Sequence, residues 1–211
     1  MAIEPLKNWK IEQGTTINAI GNFTRDQIAP NELADVTYDF QDIQNINAVD
    51  VLRDGANPLD LPTIGAIAIP RVNMNLPIYK GVSNEGMYYG AGTLNPEQRM
   101  GEGNYALASH HSKYDGMLFQ PLMDVELGDV IYLTDLVNIY EYTIDYYQLV
   151  DPTRVDLIQP TVDSRIITLI TCDYDLVDRV AVQGTLTNTV AIENASADHL
   201  SAFSINQSIP E

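Results

Sequence analysis

Strand-like runs are the feature that most constrains how this chain can fold. From residue 61 onward, short runs of apolar or β-branched residues alternate with Gly, Pro, Asn and Asp, a pattern typical of short strands joined by turns. The runs predict eight strands, near residues 64–70, 76–80, 86–90, 104–111, 130–135, 139–149, 165–171 and 180–186. Eight strands of antiparallel type favour closure, because a closed barrel has no unpaired edge. The predicted fold is mainly β, a closed eight-stranded β-barrel with short helices.

The run IITLITC at 166–172 carries the only cysteine of the chain. It contains three Ile, two Thr and no Gly or Pro, which predicts a buried strand. Cys172 therefore stands where a buried strand meets a loop. Arg179 begins another β-type run, and the run NYALASHH at 104–111 ends in two of the three histidines. A Cys, a His and an Arg at strand ends suggest a thiol active site, although a lone cysteine is also a common small core residue.

Several motifs resemble those of sortases, the transpeptidases that anchor proteins to Gram-positive cell walls. TLITC at 168–172 resembles their TLxTC signature, and LASH at 107–110 resembles their catalytic-histidine strand. Arg179 falls where sortases carry an essential arginine. The match continues, in order, through LPTIG at 61–65, AIAIP at 66–70, NLPIYKG at 75–81 and YGAGT at 89–93. It spans residues 61–186 and is most similar to class A, the housekeeping type.

The resemblance implies a sortase-type barrel and a reaction. Cys172 would attack the Thr–Gly bond of an LPxTG-type sorting signal and form a thioacyl enzyme, while His110 protonates the leaving amine. Arg179 would bind the peptide backbone and stabilise the oxyanion. The implied partners are LPxTG-bearing surface proteins and the amine of a peptidoglycan precursor, lipid II. No cofactor is implied.

Strand alternation sorts the residues around these three. If His110 faces a cleft, Ala106 and Ala108 share its face, and His111, which points the other way, is assigned a structural role. Ile170 shares a face with Cys172, and Thr171 is expected to add an oxyanion donor through its hydroxyl or amide. The loop at 150–165 resembles the segment that contacts the Leu-Pro end of the signal, although its apolar residues are equally consistent with satellite core. The expected substrate-binding residues are Ala108, Thr171, Ile170, Val155, Leu157, Ile158 and Pro160.

Composition excludes several classes of function. A formal charge of −18 argues against nucleic acid and anionic membrane surfaces, since phosphate binding needs clustered Lys and Arg. The carboxylates are consistent with a solvated surface or with a cationic partner such as cell-wall amines. One cysteine excludes an internal disulfide and a Cys-rich zinc site. Calcium-activated sortases carry an acidic insertion before the histidine strand, whereas the only acidic residues in 95–104 are Glu97 and Glu102. No metal requirement is expected.

Residues 1–58 are predicted to be an N-terminal helical extension or linker, 59–205 the catalytic barrel and 206–211 a tail. Helical turns are expected near 15–20, 26–28 and 31–34. A better amphipathic helix is expected over 42–53, and a short helix at 197–204. Nothing approaches eighteen consecutive apolar residues. The resemblance implies the soluble ectodomain of a Gram-positive protein, held at the extracellular membrane face by a single N-terminal anchor absent from this chain.

Two alternatives to a transpeptidase remain at this stage. One is a cysteine hydrolase, such as a cell-wall amidase or a papain-like protease. Such folds usually place the nucleophile at a helix N-terminus, whereas this cysteine ends a strand. The other is a non-enzymatic acidic β-barrel module for adhesion or carbohydrate binding, in which the thiol is inert.

Overall fold

The strands close into one barrel. The computed structural model describes residues 16–17, 20, 23–39, 58–110, 115–172, 178–205 and 207–208. The strands in these residues are β1 (Thr16–Ile17), β2 (Thr63–Ile69), β3 (Met74–Tyr79), β4 (Ala91–Thr93), β5 (Gly103–His110), β6 (Val130–Thr134), β7 (Asn138–Val150), β8 (Arg165–Cys172), β9 (Arg179–Ala191) and β10 (Gln207–Ser208). Eight of them form a closed barrel in the order β2-β3-β4-β5-β8-β9-β7-β6. The prediction of a closed eight-stranded barrel is confirmed.

Short helices decorate the barrel. The α-helices of the described residues are α1 (Arg25–Ile28), α2 (Asn84–Tyr89) and α3 (Ala197–Ala202). The 3₁₀ turns there are Ala29–Leu33, Pro58–Asp60, Pro70–Val72, Gln120–Asp124, Val155–Ile158 and Ile192–Asn194. The expected helices near 26–34 and 197–204 are present, but the turn expected at 15–20 is wrong, because β1 pairs there with β10. The helix expected at 42–53 lies outside the described residues.

One predicted strand is wrong. The run at 86–90 belongs to α2, and the barrel strand is the shorter β4 that follows it. The side chain of Ser83 explains the helix, because its hydroxyl oxygen accepts a hydrogen bond from the Gly86 N–H at 2.9 Å. A serine cap of this kind satisfies one of the free N–H groups of a first helical turn. The aromatic pair in that run favours a strand by composition, and the cap overrides it.

The expectation that all strand pairs are antiparallel is also wrong. β3 pairs with β4 in parallel, and β5 pairs with β8 in parallel over its whole length. A parallel pair needs a crossover connection. Between β3 and β4 this connection contains α2, and between β5 and β8 it contains β6, β7 and the loop at 151–164. The carboxyl ends of β5 and β8 therefore lie at the same edge of the barrel.

Alternation along the strands separates two packed regions. Ile67, Leu107 and Leu169 belong to the core inside the barrel and are fully buried. The alternate residues Ala66 and Ala68 lie in a second cluster with Ile20, Ile139, Ala202 and Phe203. This second cluster brings the C-terminal helix against the outside of β2. No helix in the described part of the chain is long and apolar enough to cross a membrane.

Candidate active site

The ends of β5, β8 and β9 meet at one edge of the barrel. The parallel register of β5 and β8 ends with His110 opposite Cys172. In the antiparallel pair of β8 and β9, Ile170 lies opposite Ala181. β8 continues two residues beyond Ile170, and β9 begins two residues before Ala181, at Arg179. The backbones of the three residues predicted to be catalytic are therefore brought together by strand pairing.

The two faces of β5 carry different side chains. Tyr105 and Leu107 lie in the barrel core, whereas Ala106 and Ala108 pack in a separate small cluster with Val82, Met87 and Leu94. The prediction that the two alanines share a face is confirmed. His110 follows at the same period of two and lies on that outer face. It is half-buried, and its Nε2 atom is inaccessible to solvent.

Backbone contacts fix the end of β5. The Ser109 hydroxyl donates to the Gly90 carbonyl at 2.6 Å, and Ser109 is fully buried. The His110 carbonyl accepts a hydrogen bond from the Phe119 N–H at 3.2 Å. The strand that carries His110 is thus held on both sides by buried groups. The assignment of His111 to a structural role, and the side chain of Cys172, fall outside the described residues.

Thr171 connects Arg179 to the end of β8. Arg179 Nη1 donates to the Thr171 carbonyl oxygen at 3.2 Å. The Thr171 hydroxyl is fully buried and accepts a hydrogen bond from the Val180 N–H at 3.0 Å. Thr171, the residue before Cys172, is thereby bonded to the first two residues of β9. Its hydroxyl lies on the core side of β8, where it is bonded to the Val180 N–H, and does not face the outer side of the sheet.

Ile170 lies between two alanines. The strand registers place Ala108 on one side of it and Ala181 on the other. Both alanines are buried, and Ile170 is partly exposed. Because the two neighbouring side chains are so small, the sheet surface on either side of Ile170 is recessed, and we call this surface the groove. Such a surface suits an extended peptide, which lies flat against a sheet.

The loop after β7 contains the Val155–Ile158 3₁₀ turn. Just before it, Arg154 makes a two-pronged ion pair with Asp156, with Nε–Oδ1 at 2.7 Å and Nη2–Oδ2 at 2.9 Å. These hydrogen bonds from Arg154 lower the pKa of the Asp156 carboxyl. The loop therefore has internal structure of its own.

The four apolar loop residues were expected either to bind substrate or to pack as satellite core, and the structure divides them between these two interpretations. Ile158 packs against the cluster that contains Ala106 and Ala108. Val155 is 58% exposed, Pro160 is exposed and Leu157 is partly buried. Ile158 therefore acts as satellite core at the rim of the groove. The other three present apolar surface that a ligand can reach.

Sequence reasoning missed the amide side chains that hold this loop. Asn95 and Asn104 donate to backbone carbonyls of residues 157–159. Both asparagines flank Gly- and Pro-containing segments, where asparagine is an ordinary turn residue. The only feature of the sequence that could have pointed to this role is their position, at the two ends of the short connection before the histidine strand. Among the described residues, no group of three or more His, Cys, Asp or Glu side chains could hold a metal ion.

A closed barrel that brings Cys172, His110 and Arg179 to adjoining strand ends has the arrangement expected of a thiol enzyme, and comparison with known proteins gives its family. A family model described as "Sortase domain" matches residues 67–187. Sortase A of Listeria monocytogenes is 40% identical over 168 residues, which are 80% of this chain and 75% of that protein. Sortase A of Streptococcus agalactiae is 37% identical over 207 residues, covering 95% of this chain and 84% of that protein.

The solved structure of Listeria monocytogenes sortase A resembles this one with a TM-score of 0.62 at 40% identity. The match covers 67% of this chain and 97% of that one. The chain belongs to the sortase family. Its members are cysteine transpeptidases, so the sequence-based predictions of family, fold and enzyme class are confirmed, and a non-enzymatic module is excluded.

Proposed function

We propose that this sortase cleaves the Thr–Gly bond of an LPxTG-type sorting signal, with Cys172 as nucleophile, His110 as general acid and base, and Arg179 as oxyanion donor. The observation that carries this assignment is the strand register. It sets His110 opposite Cys172 and brings Arg179 to the carbonyl of the residue before the cysteine. The Ala106–Ala108 face of β5 supports the choice of His110, because strand alternation puts it over the groove.

The first half-reaction forms a thioester. An ordinary thiol, with a pKa of about 8.5, is only a few per cent thiolate at neutral pH. Positive charge on His110 and Arg179 favours the thiolate of Cys172, so a reactive Cys⁻/His⁺ minority coexists with the neutral pair. The thiolate adds to the Thr carbonyl, and Arg179 hydrogen-bonds the oxyanion. Collapse breaks the C–N bond as His110 gives its proton to the glycine amine.

The second half-reaction transfers the acyl group. A primary amine of the peptidoglycan precursor lipid II gives a proton to the neutral His110 and attacks the thioester carbonyl. The C–S bond then breaks, which restores the Cys172 thiolate and the His110 imidazolium. The product is an amide that joins the surface protein to the cell-wall precursor. Water attacking the same thioester would give hydrolysis, and this competing outcome is the one that an assay must separate.

The cellular setting follows from these substrates. Both the sorting signal and lipid II are presented at the extracellular face of a Gram-positive membrane. We propose that residues 59–205 are the catalytic unit and that residues 1–58 link it to a single N-terminal membrane anchor, with 206–211 as a tail. The whole chain has a formal charge of −18, which disfavours direct contact with an anionic lipid surface.

A mass-spectrometric assay tests the assignment. An LPxTG peptide is incubated with the protein, with and without added triglycine as the amine. We expect a thioacyl adduct on Cys172, and an amide product in place of acid when the amine is present. Cys172→Ala and His110→Ala are each expected to abolish turnover while the fold is kept, as checked by circular dichroism. His111→Ala, as the matched control, is expected to keep much of the activity.

Two results would contradict the proposal. If His111→Ala were inactive and His110→Ala active, the face assignment of β5 would be reversed. If the acid remained the only product at saturating amine, the protein would be a hydrolase of this signal.

A further inference from the structure

We infer that Asn104, assisted by Asn95, is a positioning residue for substrate recognition, because its buried amide holds the Val155–Ile158 turn at the rim of the groove. This inference rests on the proposed function and on the family resemblance, which implies that the loop at 150–165 contacts the Leu-Pro end of the signal. It goes beyond that function by naming the side chains that hold the loop in position.

The argument begins with the end of the 3₁₀ turn. The last carbonyls of any helical turn lack partners within the turn. Here three successive carbonyls are satisfied by side-chain amides from outside the loop. Asn104 Nδ2 donates to the Leu157 oxygen at 2.8 Å and to the Gln159 oxygen at 3.0 Å. Asn95 Nδ2 donates to the Ile158 oxygen at 2.8 Å.

A second set of hydrogen bonds fixes the Asn104 amide. Its Oδ1 accepts from the Thr168 hydroxyl at 2.7 Å. Since a hydroxyl has one proton, Thr168 then accepts at its oxygen, and Gln183 Nε2 donates to it at 2.9 Å. Asn104 and Thr168 are buried, at 4% and 0% exposure. The amide is therefore held by β8 and β9, the same strands that end at Cys172 and begin at Arg179.

The far side of the loop is also tied to the start of β5. Gly103 has a φ of +54°, and a Cβ at this position would lie 2.6 Å from the Thr161 carbonyl oxygen. The backbones of β5 and the loop therefore approach more closely than any side chain would allow. Ile158 packs on the Ala106–Ala108 cluster between these two ties. The turn is thus packed against the outer face of β5, which carries Ala106 and Ala108.

This arrangement makes a specific prediction for Asn104→Asp. The change keeps the shape of the side chain but replaces two N–H donors by an oxygen that faces two carbonyl oxygens. Loss of buried hydrogen bonds of this kind predicts at least about a tenfold acceleration of amide exchange in the loop, and a similar rise in KM. Because the strand ends at His110 and Cys172 are untouched, kcat should stay within about threefold.

Asn75→Asp is the matched control. Asn75 is also fully buried, and its Nδ2 donates to two carbonyls, those of Phe203 at 2.9 Å and Ile205 at 2.8 Å. Those carbonyls belong to the C-terminal segment, away from the groove. The control therefore carries the same chemical change and a comparable loss of stability, but it should leave loop exchange and KM unchanged. Asn95→Ala removes only the Ile158 contact, and we expect a smaller shift in the same direction.

The experiment combines hydrogen–deuterium exchange of peptides covering residues 151–164 with steady-state kinetics on an LPxTG peptide. Faster loop exchange with raised KM in Asn104→Asp and not in Asn75→Asp supports the inference. Unchanged loop exchange in Asn104→Asp and Asn95→Ala, or a fall in kcat at constant KM, overturns it. If Asn104→Asp does not fold, Asn95→Ala decides by the same readouts. Absence of any turnover by the wild-type protein would refute the proposed function instead, and exchange would still decide whether Asn104 holds the loop.

Discussion

At the scale of single residues, a backbone carbonyl fixes one end of Arg179, the arginine proposed to be catalytic. Arg179 Nη1 uses one N–H group on the Thr171 carbonyl. A guanidinium has five N–H donors in a planar fork, which is enough to bind the Thr171 carbonyl, a substrate carbonyl and an oxyanion together. Thr171 in turn is held by the Val180 N–H. The position of the guanidinium therefore depends on the pairing of β8 and β9.

We expect Arg179→Lys to lose most of the activity. Lysine keeps the charge but concentrates it at one point, so it cannot bind two oxygens in a fixed geometry. Removal of one oxyanion donor costs about 10²–10³-fold in kcat, or about 2.7–4 kcal/mol. Steady-state rates with an LPxTG peptide measure the effect. Arg179→Ala should be at least as slow, with little change in melting temperature for either variant.

The alternative is that Arg179 is only a surface residue, worth at most about 1 kcal/mol of stability through an ion pair. Turnover of Arg179→Ala close to the wild-type rate would remove the arginine from the mechanism.

Sequence reasoning proposed Cys172, His110 and Arg179 through the order of motifs along the chain, and strand pairing brings their backbones together; its proposals for the groove were less complete. Strand alternation predicted the shared face of Ala106 and Ala108, because the side-chain period of a strand is fixed. It could not predict the roles of the loop residues. Whether an apolar loop residue such as Ile158 packs inward depends on contacts distant in sequence, and a turn asparagine gives no sign that its amide binds another loop.

At the scale of elements, the strands were predictable and their partners were not. Composition and period identify a run such as the one in β8, but they do not encode which strand lies beside it. The parallel pairs β3–β4 and β5–β8 arise from crossover connections that the local pattern does not reveal. The failure at α2 had a local cause, since one capping serine outweighed the strand propensity of the aromatic residues after it.

The contact between the loop before β5 and the loop after β7 leads to a prediction about calcium. Neutral amides bind the loop after β7 here, one from Asn95 in the loop before β5 and one from Asn104 at the start of β5. A calcium site would need several carboxylate oxygens there. We therefore expect turnover of an LPxTG peptide to change by less than about twofold between excess EDTA and millimolar calcium. Calcium activation of several-fold would show that carboxylates of this region converge on an ion.

At the scale of the whole molecule, buried tyrosines determine the response to alkaline pH. Burial raises the pKa of Tyr79, Tyr105 and Tyr142, and raises that of Tyr88 to about 12. For Tyr142 the hydrogen bond from the Gly101 N–H opposes this shift without cancelling it. These hydroxyls remain neutral in the folded protein above about pH 10, where tyrosine in the unfolded chain ionises.

The sign of the pH effect follows directly. Above about pH 10 the folded state binds more protons than the unfolded state, so the free energy of unfolding falls by about 1.4 kcal/mol per pH unit for each such tyrosine. The stability that each neutral tyrosine contributes is fully present below about pH 10 and is lost as the pH rises through the raised pKa. For Tyr88 this loss takes place between about pH 10 and pH 12. Urea unfolding at successive pH values, followed by tyrosinate absorbance, measures the loss. Ionisation of these tyrosines before unfolding would contradict the prediction.

The parallel pairing of β5 and β8 also bears on when the protein becomes reactive. β6 and β7 separate the histidine strand from the cysteine strand along the chain, so no local hairpin can bring His110 to Cys172. Their meeting requires long-range contacts, which form slowly because a large loop must first be closed. Until these long-range contacts form, Cys172 lies apart from His110, the residue proposed to activate its thiol, so the proposed reactive pair exists only in the closed barrel.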